Sequence, residues 1–283
     1  MILLDGQKTS QKIYDQLKSD LASVSGRKPG LLVLRVGDDP ASEVYVNKKV
    51  RMCQSIGFQS WHEHLSASTT TATLIERISK ANIDPAVDGI LVQLPLPKQI
   101  DESAVLANVL PSKDVDGFHP LNLGKLVCRE PGFVPCTPRG VMSLLSDYSI
   151  ELKGMNAVVV GRSRIVGRPL SLLLDQAGAT VTVVHSLTKD WSAFTKHADL
   201  VVMAVGRPKM LSAEHIKAGA VIVDVGINRT TDKKIVGDVD FDSVSQLAGA
   251  LTPVPGGVGP MTIASLLQNT WQSFQNSTIN RRE

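Results

Sequence analysis

The run from Ala157 to Val160 passes without a break into Gly161, then a basic, hydroxyl-bearing turn, then Gly167 and Pro169 at the mouth of an apolar helical pattern. Consecutive β-branched residues of this length read as a strand buried on both faces. A buried strand that ends in a glycine turn at a helix N-terminus is the opening of a βα unit. Unpaired N–H groups and the positive end of the helix dipole converge there, and a phosphate fits the place. The spacing is not G-x-G-x-x-G. Two glycines six apart are equally explained by a plain tight turn, so the rest of the chain has to decide.

The same alternation recurs in order. Residues 7–24 carry Ile13, Leu17 and Leu21 at helical spacing, 31–36 form an apolar strand, and Asp39-Pro40 starts a helix that runs from about 41 to Gly57. Strand 58–65, helix 72–81, a buried strand from Asp88 ending at Pro95, and helix 101–109 follow. From Asp114 to Pro138 the pattern loosens, which is long for a loop and marks a functional segment or a domain junction. Thr137-Pro138 then caps a helix to about 147, and strands 156–160, 180–184, 199–205 and 220–225 alternate with helices before a final helix over 262–276. Strands separated by helices imply parallel βαβ units. The fold class is α/β in two domains.

Composition narrows the function. In 283 residues, 30 basic and 27 acidic side chains leave a net charge of +3 with no cluster, which argues against a nucleic-acid surface; the end from Asn280 is too short for a basic tail. No apolar run is long enough to span a membrane, and Asp5 and Lys8 occupy the place of a signal peptide's apolar stretch. Cys53, Cys128 and Cys136 match no metal or redox spacing, so a reduced, cytoplasmic setting is expected.

Chemistry has several candidate places. Tyr45 and Lys49 share a helix face that Val46 and Val50 place beside the core. Partial burial of an amine favours its neutral form and suits proton transfer; a snorkelling surface lysine is the plainer account. Gln93 sits at the carboxyl end of a parallel strand, where ligands of open α/β sheets bind, or it caps the turn at Pro95. In Asp114-Val-Asp116-Gly117 one acid caps the turn and Asp116 is the better candidate to face a ligand; two carboxylates without a third ligand make no metal site. His62 and His64 likewise lack further ligands. About 20 residues past the glycine turn a site for NAD should show an acid. His185, Ser186 and Thr188 stand there instead, and with Arg162 and Arg164 they suit a 2′-phosphate. Pro255 to Pro260 reads as a rigid glycine-proline turn that is neither helix nor strand.

Seven stretches taken together resemble the methylenetetrahydrofolate dehydrogenase/methenyltetrahydrofolate cyclohydrolase family. They are Ser42 to Lys49, Asp88 to Pro97, Lys113 to Phe118, Pro135 to Gly140, Gly161 to Pro169, Val225 to Asn228 and Pro255 to Thr262. They stand in the family's order across essentially the whole chain; residues 127–133 match no part of it. The resemblance implies NADP-dependent oxidation of 5,10-methylenetetrahydrofolate and hydrolysis of the methenyl product to 10-formyltetrahydrofolate. It implies a homodimer of two-domain protomers, each with a folate cleft between a parallel α/β catalytic domain (1–139, completed by the helix 263–283) and a Rossmann-like NADP-binding domain (140–262). Carried over by position, the catalytic residues are Lys49, Tyr45, Gln93 and Asp116, with Leu94 and the loop Pro255, Gly256, Gly257 and Val258 also bordering the folate. The nucleotide contacts are Gly161, Arg162, Ser163, Ser186 and Ile227, and no metal is implied. Rival readings are a member with one of the two activities, an NADP-binding protein without turnover, and a two-domain dehydrogenase of another small substrate such as a shikimate-type hydroxy acid.

Overall fold

The structure is a computed structural model that describes residues 1–230, 232 and 234–279. The first half runs β1 (Ile2–Leu3), α1 (Gly6–Ala22), β2 (Gly30–Val36), α2 (Pro40–Ile56), β3 (Gln59–Leu65), α3 (Thr71–Ile83), β4 (Gly89–Val92), α4 (Glu102–Asn108), α5 (Pro120–Cys128) and α6 (Cys136–Asp147). The second runs β5 (Asn156–Val160), α7 (Gly167–Gln176), β6 (Thr180–Val184), α8 (Ser192–Thr195), β7 (Leu200–Met203), β8 (Val221–Asp224), β9 (Asn228–Arg229), β10 (Ile235–Val236), α9 (Phe241–Val244), β11 (Ala250–Leu251) and α10 (Val258–Ile279). The chain divides into two compact units, one of residues 12–136 with 265–283, the other of 1–11 with 137–264.

The unit of residues 12–136 is built on a parallel sheet ordered β3-β2-β4. Leu32, Leu34 and Val36 point to one face of it, where Leu74 and Ile78 of α3 and Val105 of α4 close the core. Helix α2 packs against β2 and β3. It begins where Asp39 accepts from the Ser42 N–H with Pro40 at the first turn, and it ends at left-handed Gly57. An isolated bridge between Ile90 and Asp114 continues the sheet by one short rung, which fixes the 113–117 turn beside β4. The same unit contains an ion pair between the half-buried Arg27 and the buried Asp88. Arg27 reaches both oxygens of Asp88 at 2.6 and 2.7 Å, and Asp88 also accepts from the Gly30 N–H and the Ser277 hydroxyl. From α10, Asn269 donates to the carbonyls of Val115 and Val134, and Ser273 to those of Asp88 and Ser112.

The other unit carries a six-stranded sheet in the order β1-β11-β8-β7-β5-β6, and every pairing in it is parallel. Strand order reverses at β5, which has β6 on one side and β7 on the other. This is a doubly wound, Rossmann-like sheet. Val158, Val160, Val201, Met203 and Ile222 form its core with Leu211 and Val239.

Several expectations are corrected. Ile2 and Leu3 pair with Ala250 and Leu251, so residues 1–11 pack with the doubly wound unit. The 114–138 segment contains α5, which His119 caps through Nδ1 ahead of Pro120. Between the later strands α7 is a full helix, but the helix expected after β6 shrinks to the single turn α8, and the one after β7 to a 3-10 turn at Ala213–His215 in a stretch that Gly206, Pro208 and Gly219 break. Helix α10 starts at Val258, inside the supposed rigid turn; Pro260 falls in its first turn, where a missing N–H costs nothing. Residues 280–283, counted above in the last helix, lie outside the described residues. Asp88→Ala, which strands the Arg27 guanidinium and the Gly30 N–H, is expected to lower the unfolding free energy by about 3 kcal/mol. Urea denaturation measures it, and a loss under about 1 kcal/mol would show the pair to be incidental.

Candidate functional site

In the unit of residues 12–136, Lys49 is a buried lysine, 8% exposed, two turns into the core-facing side of α2. Its Nζ donates to Gln93 Oε1 at 3.0 Å. Gln93 follows directly on β4, its N–H held by the Leu34 carbonyl, and its own amide N–H donates to the Leu94 carbonyl at 2.6 Å. That second bond fixes which end of the amide faces the lysine. Half-buried Tyr45 lies one turn before Lys49 on the same helix. The two acids of the 113–117 turn divide as their surroundings dictate. Asp114 is a structural cap: its carboxylate accepts from the N–H groups of Phe118 and His119 and from the Asn122 amide. Burial nevertheless pushes its pKa up to about 7, against those donors. Asp116 is also raised by burial, while the nearby Lys49 charge and a hydrogen bond from the Cys136 thiol oppose the rise. Lys49, Gln93 and Asp116 are therefore brought together, with Cys136 behind the acid. Cys136, buried and bonded as well to the Val115 carbonyl at 3.2 Å, was not singled out from sequence. The only signal for it was its place in the Pro135–Gly140 stretch.

The doubly wound unit has its own opening, a cavity of about 320 Å³ lined by Gly161, Arg162, His185, Ser186, Val205 and Arg207 among others. These are the ends of β5, β6 and β7, next to the reversal of strand order, where such sheets bind nucleotides. Gly161 has φ +123°, and a Cβ on it would stand 2.3 Å from the Ala204 carbonyl oxygen. One on Gly167 would stand 2.1 Å from the Gly161 oxygen. The two glycines thus let the turn fold tightly over the start of α7 and leave backbone open to a ligand. No acid is among the lining residues, while Arg162, Arg207 and His185 are. This donor set fits a phosphorylated ribose. Ser163 and Ile227 lie outside the cavity lining. The Ser163 hydroxyl accepts from the Val166 and Gly167 N–H groups, so its oxygen already caps α7.

The loop Pro255–Val258 leads into α10 in this same unit. The Gly256 carbonyl accepts from the Gln7 N–H, and a Cβ on Gly6 would collide with the Gly257 oxygen at 1.8 Å. The two strand histidines remain separate: His64 meets Asp38 and the Gly37 carbonyl, while burial lowers the pKa of His62. Among the described residues no group of three ligating side chains could hold a metal ion.

A doubly wound nucleotide-binding unit and a separate α/β unit with a buried lysine–amide pair define a nucleotide-dependent α/β enzyme. Comparison with known proteins makes this specific. Residues 4–116 match the catalytic domain, and residues 135–278 the NAD(P)-binding domain, of the tetrahydrofolate dehydrogenase/cyclohydrolase family. The chain belongs to that family. It is 51% identical over 278 residues to a bifunctional protein FolD from Campylobacter hominis, covering 98% of both chains. The crystal structure of the bifunctional FolD methylenetetrahydrofolate dehydrogenase/cyclohydrolase from Campylobacter jejuni superposes with a TM-score of 0.96 at 49% identity, covering 98% of this chain and 99% of that one. A Trypanosoma brucei FolD complexed with NADP cofactor and inhibitor has a TM-score of 0.94 at 38% identity, covering 98% of each.

The raised Asp114 pKa has a stability consequence. Its folded value, about 7, lies above the ordinary 3.8, so the folded state holds the proton more tightly than the unfolded chain. The stability this gives is present in acid and is lost as pH rises from about 4 through 7. Asp114→Asn is expected to flatten the decline of unfolding free energy over that window by up to about 1.4 kcal/mol per pH unit. An unchanged slope in denaturation at several pH values would mean that the carboxyl is ionised throughout.

Proposed function

We propose that Lys49, Gln93, Tyr45 and Asp116 carry both reactions of a bifunctional one-carbon folate enzyme. The enzyme oxidises 5,10-methylenetetrahydrofolate to the methenyl compound with NADP⁺ and hydrolyses that product to 10-formyltetrahydrofolate. The observation that carries the reading is the buried amine of Lys49 on the Gln93 amide oxygen at 3.0 Å.

Bound NADP⁺ supplies the acceptor for hydride. Loss of hydride leaves a methenyl carbon between two nitrogens as a cation, a step that needs positioning more than a strong base. Hydrolysis then needs proton movement: water adds to the cation and gives up a proton, and the ring nitrogen that leaves the carbon takes one. Lys49 shuttles that proton. Gln93 suits the role because a neutral amide accepts from the amine without fixing its positive charge as a carboxylate would. Tyr45 orients or stacks on the folate beside the amine. Asp116 accepts hydrogen bonds from the amino-pyrimidine edge of the pterin, a planar pair of donors matched to a carboxylate. Leu94 and the loop Pro255, Gly256, Gly257 and Val258 border the folate. Gly161, Arg162 and Ser186 hold the nucleotide, with Ser163 and Ile227 as flanking contacts, and Arg162 meets the 2′-phosphate. The reading includes a homodimer, supported by β3 as the edge of its three-stranded sheet with Trp61 39% exposed, and a cytoplasmic setting, supported by three free cysteines. No helix among the described residues is long and apolar enough to cross a membrane.

The test follows methenyl and formyl products from methylenetetrahydrofolate with NADP⁺. Lys49→Met is expected to slow hydrolysis of supplied methenyltetrahydrofolate by about 100-fold or more; hydrolysis at the wild-type rate would remove the proton shuttle. Arg162→Ala is expected to raise KM for NADP⁺ about tenfold and to leave that for NAD⁺ nearly unchanged. Equal losses for the two nucleotides would overturn the 2′-phosphate contact.

A further inference from the structure

Two carboxylates that take no part in the chemistry above are buried together at the end of β8. Asp224 is 3% and Asp238 0% exposed. Asp224 closes the strand, and its oxygens accept from the N–H groups of Gly226 at 2.8 Å, Asp238 at 3.0 Å and Val239 at 2.9 Å. Asp238 then uses Oδ2 for the N–H groups of Val205 and Gly206, at 2.8 and 2.9 Å, and Oδ1 for the Asn228 amide at 2.9 Å. Among the described residues neither acid has a cationic partner. The space for them is cut into the backbone: a Cβ on Gly226 would stand 2.3 Å from the Asp238 carboxyl, and one on Gly237 1.8 Å from Asp224 Oδ2.

Burying two neighbouring carboxylates is costly, and only dense N–H donation offsets it. Stability alone is a poor reason for such a device, because apolar side chains fill a sheet end at lower cost. What the pair achieves is geometric. Asp238 ties the turn after β7 to the turn between β8 and β9 through two donors on the first and, at the end of the second, the Asn228 amide that opens β9. Val205, on the first turn, lines the nucleotide cavity. Ile227, on the second, is the nucleotide contact implied by the family resemblance, and it sits between Gly226 and Asn228, both held by the acids. We propose that Asp238 is a positioning residue for the nucleotide. It sets the backbone of 205–206 and 226–228 at the spacing the bound cofactor needs and touches no part of the cofactor itself. The inference rests on the nucleotide site described above.

The experiment compares Asp238→Ala, Gly226→Ala and Asp238→Asn in the full-length enzyme. Asp238→Ala removes the tie, and KM for NADP⁺ is expected to rise about tenfold or more. Gly226→Ala, which displaces the carboxyl and leaves it in the chain, is expected to give a rise of the same order and serves if the first variant does not fold. In Asp238→Asn the amide oxygen keeps the Val205 and Gly206 donors, and a flipped Asn228 amide accepts the new N–H, so KM is expected to stay within about threefold of wild type. Hydrolysis of supplied methenyltetrahydrofolate uses no nucleotide and reports the fold; its kcat should fall less than about twofold in each variant. The proposal is overturned if KM for NADP⁺ is unchanged in Asp238→Ala or Gly226→Ala, or if both activities fall in parallel, which is what a merely structural clamp would give. Arg162→Ala separates this from the site itself. An effect of Arg162 without one of Asp238 sinks the positioning role alone, and the reverse keeps it and removes the direct phosphate contact.

Discussion

An amine taken out of water has to find an acceptor, and the choice of acceptor decides what the amine can do. On α2 that acceptor is Gln93 Oε1, 3.0 Å from Lys49 Nζ. A carboxylate in its place would hold the ammonium charged. An apolar neighbour would leave a buried donor unsatisfied, at a cost on the order of 1–3 kcal/mol. The amide avoids both outcomes. Its orientation is not free either, because its own N–H is committed to the Leu94 carbonyl. Asp116 stands close enough for the lysine charge to matter to its ionisation. A buried amine, its neutral amide partner and an acid that burial makes harder to ionise thus stand together.

The parallel sheet explains why chemistry collects where it does. In the main sheet of each unit the strands run the same way, so their carboxyl ends lie together with carbonyl and N–H groups left over from the ladder. Gln93 follows β4, Gly161 follows β5, Ser186 follows β6, and Val205 follows β7. Turns at such ends have no ladder to fix them and are set by side chains instead. Asp114 fixes the turn that presents Asp116, and Asp224 with Asp238 fixes the turns beside the nucleotide cavity. The same residue type sets turns in both units, buried each time and each time on N–H donors.

Much of this was legible in the sequence. Val158 to Val160 and Leu31 to Val36 announce buried strands by composition alone, and Asp39-Pro40 announces the start of α2 to within a residue. The fold class and the βα turn at Gly161 follow from these local signals. The short elements escaped because they have no periodicity to read: β1 and β11 are two residues each, and exist through the pairing of β1 with β11 and of β11 with β8. Helix α5 escaped because its cap is a histidine, an uncommon choice at that place. The opening residues were grouped by sequence neighbourhood, whereas the sheet groups them by hydrogen bonds.

The sequence by itself determined the elements, the order in which they alternate and the residue types available at the strand ends, because these depend on propensity, periodicity and the steric freedom of glycine and proline. Its motif order also determined the family. Tertiary structure alone decided which donors Asp114 gathers and that the Cys136 thiol stands behind Asp116, that Ser163 spends its oxygen on α7, and that Asp238 joins two turns more than 20 residues apart in sequence. Those facts depend on burial and on donors brought from distant parts of the chain. No local pattern encodes them, since an aspartate reads the same in one dimension whether it faces water, a lysine or a ring of buried N–H groups.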